Sequence, residues 1–146
     1  VESALQMADA VKRSLPADIA VMVAAVADWR TADIAKEKLK KRGSAPPALL
    51  LTENPDILAT VASRPDRPPL LIGFAAETEN VIQHAKEKRK RKGADWIIAN
   101  DVSGDVMGGD ANAVHIVRGD DVISLPEMPK EDVARILVER FTDALV

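Results

Sequence analysis

Apolar residues along this chain fall into short continuous runs that alternate with stretches of helical periodicity. Between Ser3 and Leu15 they recur every three or four positions, and Ser3 can cap the first turn, so this segment is predicted to be a helix that Pro16 ends. The run from Ile19 to Ala25 is continuous, rich in β-branched residues and too short for a buried helix. We therefore expect a strand that is buried on both faces, as in a parallel sheet.

The alternation continues to the end of the chain. Further helices are predicted to begin at Asn54, Thr78 and Pro129, each after a turn or an apolar run. Further strands are predicted for the short apolar runs 49–51, 70–74, 96–99, 113–117 and 122–125. This order predicts an α/β fold: a Rossmann-like, three-layer αβα arrangement with a mostly parallel sheet and a late antiparallel hairpin.

Length and composition narrow the class of protein. The 146 residues fit one domain, 1–146, and the absence of cysteine excludes disulfides, thiol nucleophiles and thiolate metal sites. A chain without cysteine suits a reducing cytoplasm, where we expect the protein. No apolar run approaches the ~20 residues of a membrane helix, so no membrane partner is expected.

Charge is unevenly distributed. The net charge of −3 gives no global basic excess that would indicate nucleic acid, but residues 36–42 and 86–92 are basic runs. Two local basic runs in a mildly acidic protein suit a small polyanionic ligand better than a duplex. Each run has an ordinary alternative, a solvated loop for the first and a surface helix for the second.

Ligands of open parallel sheets bind at the carboxyl ends of the strands, and the predicted strand ends here carry unusual residues. Small residues at 24–27 would let a planar ligand approach the backbone, and Asp28 could contact a ribose or a cation. The same residues could instead be alanines packed on a helix and an aspartate that caps a turn. Gly73 to Thr78 could form a base-stacking slot, followed by a helix that carries Lys88 and Lys92 on one face.

Other polar residues are less specific. Asn54, Pro55 and Asp56 are explained by a well-capped helix, although the free N–H groups of a helix start also bind oxygens. Asn100 could position substrate or metal, or could be a turn residue. The two histidines, His84 and His115, lack metal-like spacing and are interpreted as structural or solvated, His84 on an exposed helix face.

Taken in order, five motifs resemble the bacterial phosphopantothenoylcysteine synthetase family, usually the C-terminal domain of a bifunctional decarboxylase/synthetase. They are the segments 24–28, 37–41, 54–58, 73–78 and 99–103. The resemblance implies ligation of 4′-phosphopantothenate to L-cysteine in coenzyme A biosynthesis, with CTP forming an acyl-cytidylate and Mg²⁺ assisting. It also implies a homodimer that is fused to a flavin-dependent decarboxylase domain and has no nucleic-acid partner.

Site residues follow from the same resemblance. Lys38 is the expected catalytic residue and Asp28 the expected metal ligand. Ala25, Asn100 and Asn112 are expected to bind substrate. The expected nucleotide contacts are Met22, Val23, Ala24, Asp28, Lys38, Pro55, Asp56, Ile57, Leu58, Phe74, Lys88 and Lys92.

One departure from the family pattern changes the expected activity. The family's glycine-rich Gly-Gly-Thr strand and its Asn-x-Ser-Ser-Gly segment do not occur in the 146 residues. We therefore expect this chain to bind CTP weakly, if at all, not to complete ligation alone, and not to bind FMN. Two alternatives stay open: a non-catalytic nucleotide- or nucleic-acid-binding domain that uses the basic helix 86–92, and a dimerisation module that uses the hairpin 113–125.

Overall fold

The structure, a computed structural model, describes residues 1–32, 48–102 and 111–146, with backbone only for residues 111 and 112. The helices are α1 (Ala4–Arg13), α2 (Ile57–Ala62), α3 (Val81–Lys92) and α4 (Lys130–Asp143). The strands are β1 (Ile19–Met22), β2 (Trp29–Thr31), β3 (Leu51–Glu53), β4 (Leu70–Glu77), β5 (Trp96–Asp101), β6 (Ala111–Arg118) and β7 (Asp121–Pro129).

Five strands form the main sheet in the order β1-β4-β5-β6-β7. Strands β1, β4 and β5 are parallel to one another, whereas β6 is antiparallel to both of its neighbours, β5 and β7. Strands β2 and β3 pair separately as a two-stranded antiparallel sheet. The predicted α/β fold with a late hairpin is confirmed, although the antiparallel part is as large as the parallel part, because β6 also pairs with β5.

Helices cover the two faces of the main sheet and produce the three layers. On one face α4 contributes Val133, Leu137 and Phe141, spaced four residues apart, to a core with Trp96 and other apolar strand residues. The rings of Trp96 and Phe141 meet edge to face, with centroids 5.6 Å apart. On the other face α3 and α2 cover a core of small and aliphatic side chains. The sheet therefore separates two cores.

Local signals placed the first helix correctly. The Ser3 hydroxyl oxygen accepts a hydrogen bond from the Gln6 N–H at 3.2 Å, and the Gln6 side-chain oxygen accepts one from the Ser3 N–H at 3.1 Å. This reciprocal pair is a capping box. A local signal also marks the C-terminal end of α3, where Gly93 adopts the left-handed conformation, with φ 69°, that ends a helix.

Several sequence expectations were wrong in ways that non-local pairing explains. Strand β1, expected to be buried on both faces, lies at the edge of the main sheet, and its Val21 is 42% exposed. Residues 29–31, for which no strand was predicted, pair with β3. The helix N-caps are Asp56 and Asn80 rather than the expected Asn54 and Thr78.

The late hairpin is part of the main sheet. Strand β6 lies inside the main sheet between β5 and β7, and among the described strands β7 is the edge strand on this side, opposite β1. Within the ranges that the structure describes, no helix is both long enough and apolar enough to cross a membrane.

Candidate functional site

Predicted site residues from three parallel strands lie at one edge of the main sheet. Met22 ends β1 and is paired in register with Gly73 of β4, Phe74 follows on β4, and Asn100 lies near the end of β5. Carboxyl ends of parallel strands meet at the same edge, which is where α/β domains bind ligands. Val23, Ala24 and Ala25 leave β1 at this edge and are exposed.

Asn54 fastens the segment that follows β1. Its side-chain amide donates to the carbonyl of Ala27 at 2.8 Å, and its backbone N–H donates to the carbonyl of Asp28 at 2.8 Å. Arg30 donates to the Asn54 side-chain oxygen at 3.2 Å. Asn54, interpreted from sequence only as a helix cap, therefore positions the backbone beside Asp28. The Asp28 carboxylate itself is exposed.

Asp56 begins α2 and connects it to α3. One carboxylate oxygen accepts from the Ala59 N–H at 3.1 Å, and the other is paired with the Lys92 ammonium. Partial burial raises the pKa of Asp56, but the hydrogen bonds from Lys92 and Ala59 and the charges of Lys92 and Arg91 outweigh it, so its pKa lies below the ordinary 3.8. Asp56 is therefore a negative group held beside a cation.

Lys88 lies one helical turn before Lys92, and its ammonium donates to the carbonyl of Phe74 at 2.8 Å. Burial lowers its pKa below the ordinary 10.5, the Glu77 carboxylate acts in the opposite direction, and the charges of Lys92 and Arg91 lower it further. The two lysines thus join the end of β4 to the start of α2. Of the residues predicted to contact nucleotide, the structure brings Asp56, Phe74, Lys88 and Lys92 together.

The expected base-stacking slot at Gly73 is filled by protein. A Cβ atom at Gly73 would lie 2.7 Å from Leu58 Cδ2 and 2.9 Å from Ile97 Cδ1. Phe74 turns its side chain toward the core on the α4 side, while its carbonyl meets Lys88. Glycine at position 73 therefore makes room for α2, which brings the partly buried Pro55, Ile57 and Leu58 to the site.

Asn100 carries an unusual feature. Its side-chain oxygen is buried and has no hydrogen-bond partner among the described residues. A buried acceptor without a partner is costly, so it is a candidate contact for a donor group of a ligand. Asn112 lies on β6 opposite Met128, and only its backbone is described. Lys38, the expected catalytic residue, lies outside the described residues.

Sequence reasoning missed one polar pair at this edge. His84 Nδ1 lies 3.3 Å from a carboxylate oxygen of Glu77, and the His84 side chain is 43% exposed. The interpretation of His84 as a residue of an exposed helix face was incomplete, because the residue is half-buried against the end of β4. The available signal was its spacing, four residues before Lys88 on the same helix.

Comparison with known proteins identifies the domain. Residues 1–145 match the family described as DNA/pantothenate metabolism flavoprotein C-terminal domain. The chain belongs to this family. The resemblance carried by the five sequence motifs is thereby confirmed at the level of the family.

Curated relatives of the family are longer than this chain. The coenzyme A biosynthesis bifunctional protein CoaBC of Escherichia coli K12 is 42% identical over 144 residues, which are 95% of this chain and 36% of the relative. The protein of the same name from Mycobacterium bovis is 37% identical over 157 residues, covering 100% of this chain and 37% of the relative. The chain therefore spans about a third of the length of these relatives.

Solved structures in the family have the same fold. The crystal structure of the C-terminal domain of CoaBC superposes with a TM-score of 0.77 at 35% identity, over 99% of this chain and 64% of that one. The DNA/pantothenate metabolism flavoprotein of Streptococcus pneumoniae superposes with a TM-score of 0.72 at 18% identity, over 98% of this chain and 68% of that one. The second likeness supports the fold alone.

A metal ion bound by the described residues would need further ligands from a substrate or from water. In the described part of the chain no group of three or more histidine, aspartate or glutamate side chains could hold a metal. Asp28 is an exposed single carboxylate, which fits Mg²⁺ only when phosphate oxygens and water supply its other ligands.

Asp56→Asn tests the ion pair between α2 and α3. The lowered pKa means that Asp56 stabilises the fold fully above pH 3.8 and that this contribution is lost as the pH falls through the folded-state pKa. Asparagine keeps the N-cap but removes the charge. In thermal melts between pH 3 and pH 6, the wild type should lose stability on acidification that Asp56→Asn does not lose. This loss should be less than about 1 kcal/mol, because the ion pair is half-exposed.

Asp56→Ala is the control, because it removes the N-cap as well as the charge. Loss of the cap should lower its free energy of unfolding by about 1 kcal/mol relative to Asp56→Asn at every pH. Identical acid dependence in the wild type and Asp56→Asn would contradict the assigned pairing with Lys92.

Proposed function

We propose that this domain takes part in coenzyme A biosynthesis by ligating 4′-phosphopantothenate to L-cysteine with CTP. The substrate carboxylate attacks the α-phosphorus of CTP and expels pyrophosphate, and the cysteine amine then attacks the acyl carbon and releases CMP. The observation that carries the proposal is the placement of two inward-facing lysines, Lys88 and Lys92, between the end of β4 and the start of α2. The family membership and the name of the relatives support the pathway.

Each group at the edge has a task in this proposal. Lys88 and Lys92 offset the negative charge of the triphosphate and of the transition state, as does Mg²⁺ when bound through Asp28 and the phosphates. Lys38, from outside the described residues, is proposed to act at the transferring phosphorus. Met22, Val23 and Ala24 supply backbone beside the nucleotide, and Asn54 holds the chain that follows them.

Base and substrate recognition use the remaining residues. Backbone groups of 55–58 are proposed to read cytosine, because a base whose polar edge left them unpaired would bind less well. The buried acceptor of Asn100 is proposed to receive a donor group of 4′-phosphopantothenate. Ala25 and Asn112 are proposed to bind the same substrate. Phosphopantothenate carries amide N–H and hydroxyl donors that suit such an acceptor.

A small anion suits the basic helix better than a nucleic acid does. Lys88 and Lys92 are directed into the protein, toward Phe74 and Asp56, rather than displayed on the surface. The proposal also includes a homodimer, which the exposure of Trp29 (55%) and Leu51 (58%) on the separate β2–β3 sheet supports.

Nucleotide selectivity tests the proposed function. Isothermal titration calorimetry should compare CTP, UTP and ATP on this chain and on a version extended N-terminally with the segment that precedes the matched region in the E. coli relative. We expect the extended protein to prefer CTP by at least about tenfold, ~1.4 kcal/mol, and this chain to bind more weakly with the same order. Equal affinity for the three nucleotides in the extended protein would contradict cytosine recognition by 55–58.

A further inference from the structure

Three residues on α3 form a row that faces the edge of the sheet. His84, Lys88 and Lys92 are spaced four residues apart, which places them on one side of the helix one turn from each other. Each meets a group from another element: the Glu77 carboxylate, the Phe74 carbonyl and the Asp56 carboxylate, respectively. The proposed function uses the two lysines and leaves His84 without a role.

We propose that His84 is a further phosphate-binding residue of this site and that its protonation strengthens anion binding by the row. This inference rests on the proposed function, since it concerns the same anion. Imidazole is the side chain whose ordinary charge change falls in the range between pH 5 and pH 8. A protonated ring donates from both nitrogens, so it can meet Glu77 with Nδ1 and a ligand oxygen with Nε2.

Access and distance both fit this role. The side chain of His84 is 43% exposed, so a ligand can reach it, and that of Glu77 is 28% exposed. Residues one turn apart on a helix have Cβ atoms about 5–6 Å apart, so one triphosphate can contact His84 and Lys88 together. Lys88 is already drawn toward the end of β4, the strand that carries Glu77.

The surrounding charges make the protonation of His84 consequential. Glu77 of β4 is in register with Asp101 of β5, so both carboxylates project from the same face of the sheet. Strand β6 contributes His115, which lies next to the start of α3. Helix α2 contributes Asp56, which pairs with Lys92 two helical turns after His84.

With neutral His84, the Glu77 charge repels an incoming anion, and within the row Lys88 and Lys92 oppose this repulsion. Protonated His84 neutralises Glu77 at a distance of 3.3 Å and adds a donor. Glu77 also favours the charged form of Lys88 against the effect of burial, so one carboxylate serves two cations in the row.

A histidine titration tests the inference directly, because the chain contains only His84 and His115. The imidazole resonances should be followed by NMR between pH 5 and pH 9, with and without saturating inorganic tripolyphosphate, and assigned with His84→Asn and His115→Asn. We expect tripolyphosphate to raise the titration midpoint of His84, since binding is linked to proton uptake, and to leave that of His115 nearly unchanged.

Affinity gives the second readout. Between pH 8 and pH 6 the Kd of tripolyphosphate for the wild type should tighten relative to that of His84→Asn by about threefold to tenfold, the effect of one charge at ~7 Å in a partly hydrated site. Comparing the two proteins at each pH cancels protonation of the probe. Glu77→Gln should strengthen binding at pH 8 and flatten the pH dependence, which keeps the test valid if His84→Asn folds poorly.

The outcomes separate this inference from the proposed function. An unchanged His84 midpoint in a protein saturated with tripolyphosphate would overturn the role of His84 and leave the lysine site intact. A raised midpoint together with equal CTP, UTP and ATP affinity would support the phosphate-binding row and contradict the CTP-dependent function. Absence of tripolyphosphate binding by this chain would overturn the role of His84, and its absence in the N-terminally extended protein as well would contradict the CTP-dependent function.

Discussion

Gly73→Val is expected to lower the free energy of unfolding by about 3 kcal/mol and to weaken nucleotide binding at the same time. Valine places atoms where Leu58 and Ile97 already lie, 2.7 Å and 2.9 Å from a Cβ at this position. Overpacking of a filled core typically costs 1–3 kcal/mol, and Gly73 is buried in the middle of the sheet. Relief of the clash moves α2 outward and with it Asp56 and the 55–58 backbone.

Urea denaturation and CTP calorimetry measure the two effects on the same samples. The matched control is the double variant Gly73→Val with Leu58→Ala, in which the smaller side chain makes room for valine. The double variant should be more stable than the sum of the single effects predicts, by more than about 1 kcal/mol. Additive effects would contradict the interpretation that contact with α2 requires glycine at position 73.

How much of the fold could be predicted from sequence differs between helices and strands. Helix α1 was placed within two residues because Ser3 and Gln6 cap it through contacts three residues apart. Strand β1 was recognised as a strand but wrongly judged buried on both faces. An apolar run such as 19–25 records the chemistry of the strand but not whether it has one neighbour or two.

The site shows the same division between local and long-range information. Asn54 followed by Pro55 and Asp56 is a good local cap signal, yet the cap is Asp56, and Asn54 instead bonds Ala27, 27 residues earlier. Asp56 is paired with Lys92, 36 residues later. Such partners are set by the strand order, which neither spacing nor capping preference contains.

Described residues that the resemblance predicts to contact the nucleotide lie at one edge of the sheet. The structure also shows packing contacts that a sequence motif does not contain. The 73–78 segment suggested an open slot for a base, whereas Leu58 fills the space beside Gly73. The roles of all the predicted site residues, including Lys38, Asn112 and Asp28, stay predictions. Glycine at position 73 therefore permits a close approach, and the approaching group is α2.

Lys88→Met is expected to reduce tripolyphosphate and CTP affinity by about tenfold to a hundredfold while the fold is retained. A hydrogen bond from a charged group is worth about 1.5–3 kcal/mol, and the methionine stem keeps most of the packing of the lysine stem. Stability at pH 7 should change by no more than about 1 kcal/mol, because the lost bond to the Phe74 carbonyl is offset by relief from burying a charge.

The pH dependence of stability has a definite sign. Burial lowers the pKa of Lys88 below 10.5, so between the folded-state pKa and 10.5 the unfolded chain holds more protons than the folded one. The wild type should therefore gain stability relative to Lys88→Met as the pH rises through this window, in denaturant titrations from pH 7 to pH 10.5. The opposite slope would contradict a half-buried, charged Lys88.

Lys90→Met provides the matched control for binding, because Lys90 belongs to the same basic run and is exposed to solvent. It removes the same charge from the same helix, and screening by salt should limit its effect on affinity to about twofold. Equal losses in the two variants would mean that the anion responds to the overall charge of α3. A much larger loss in Lys88→Met assigns binding to the row that faces β4, since only that lysine is tied to the carboxyl edge of the sheet.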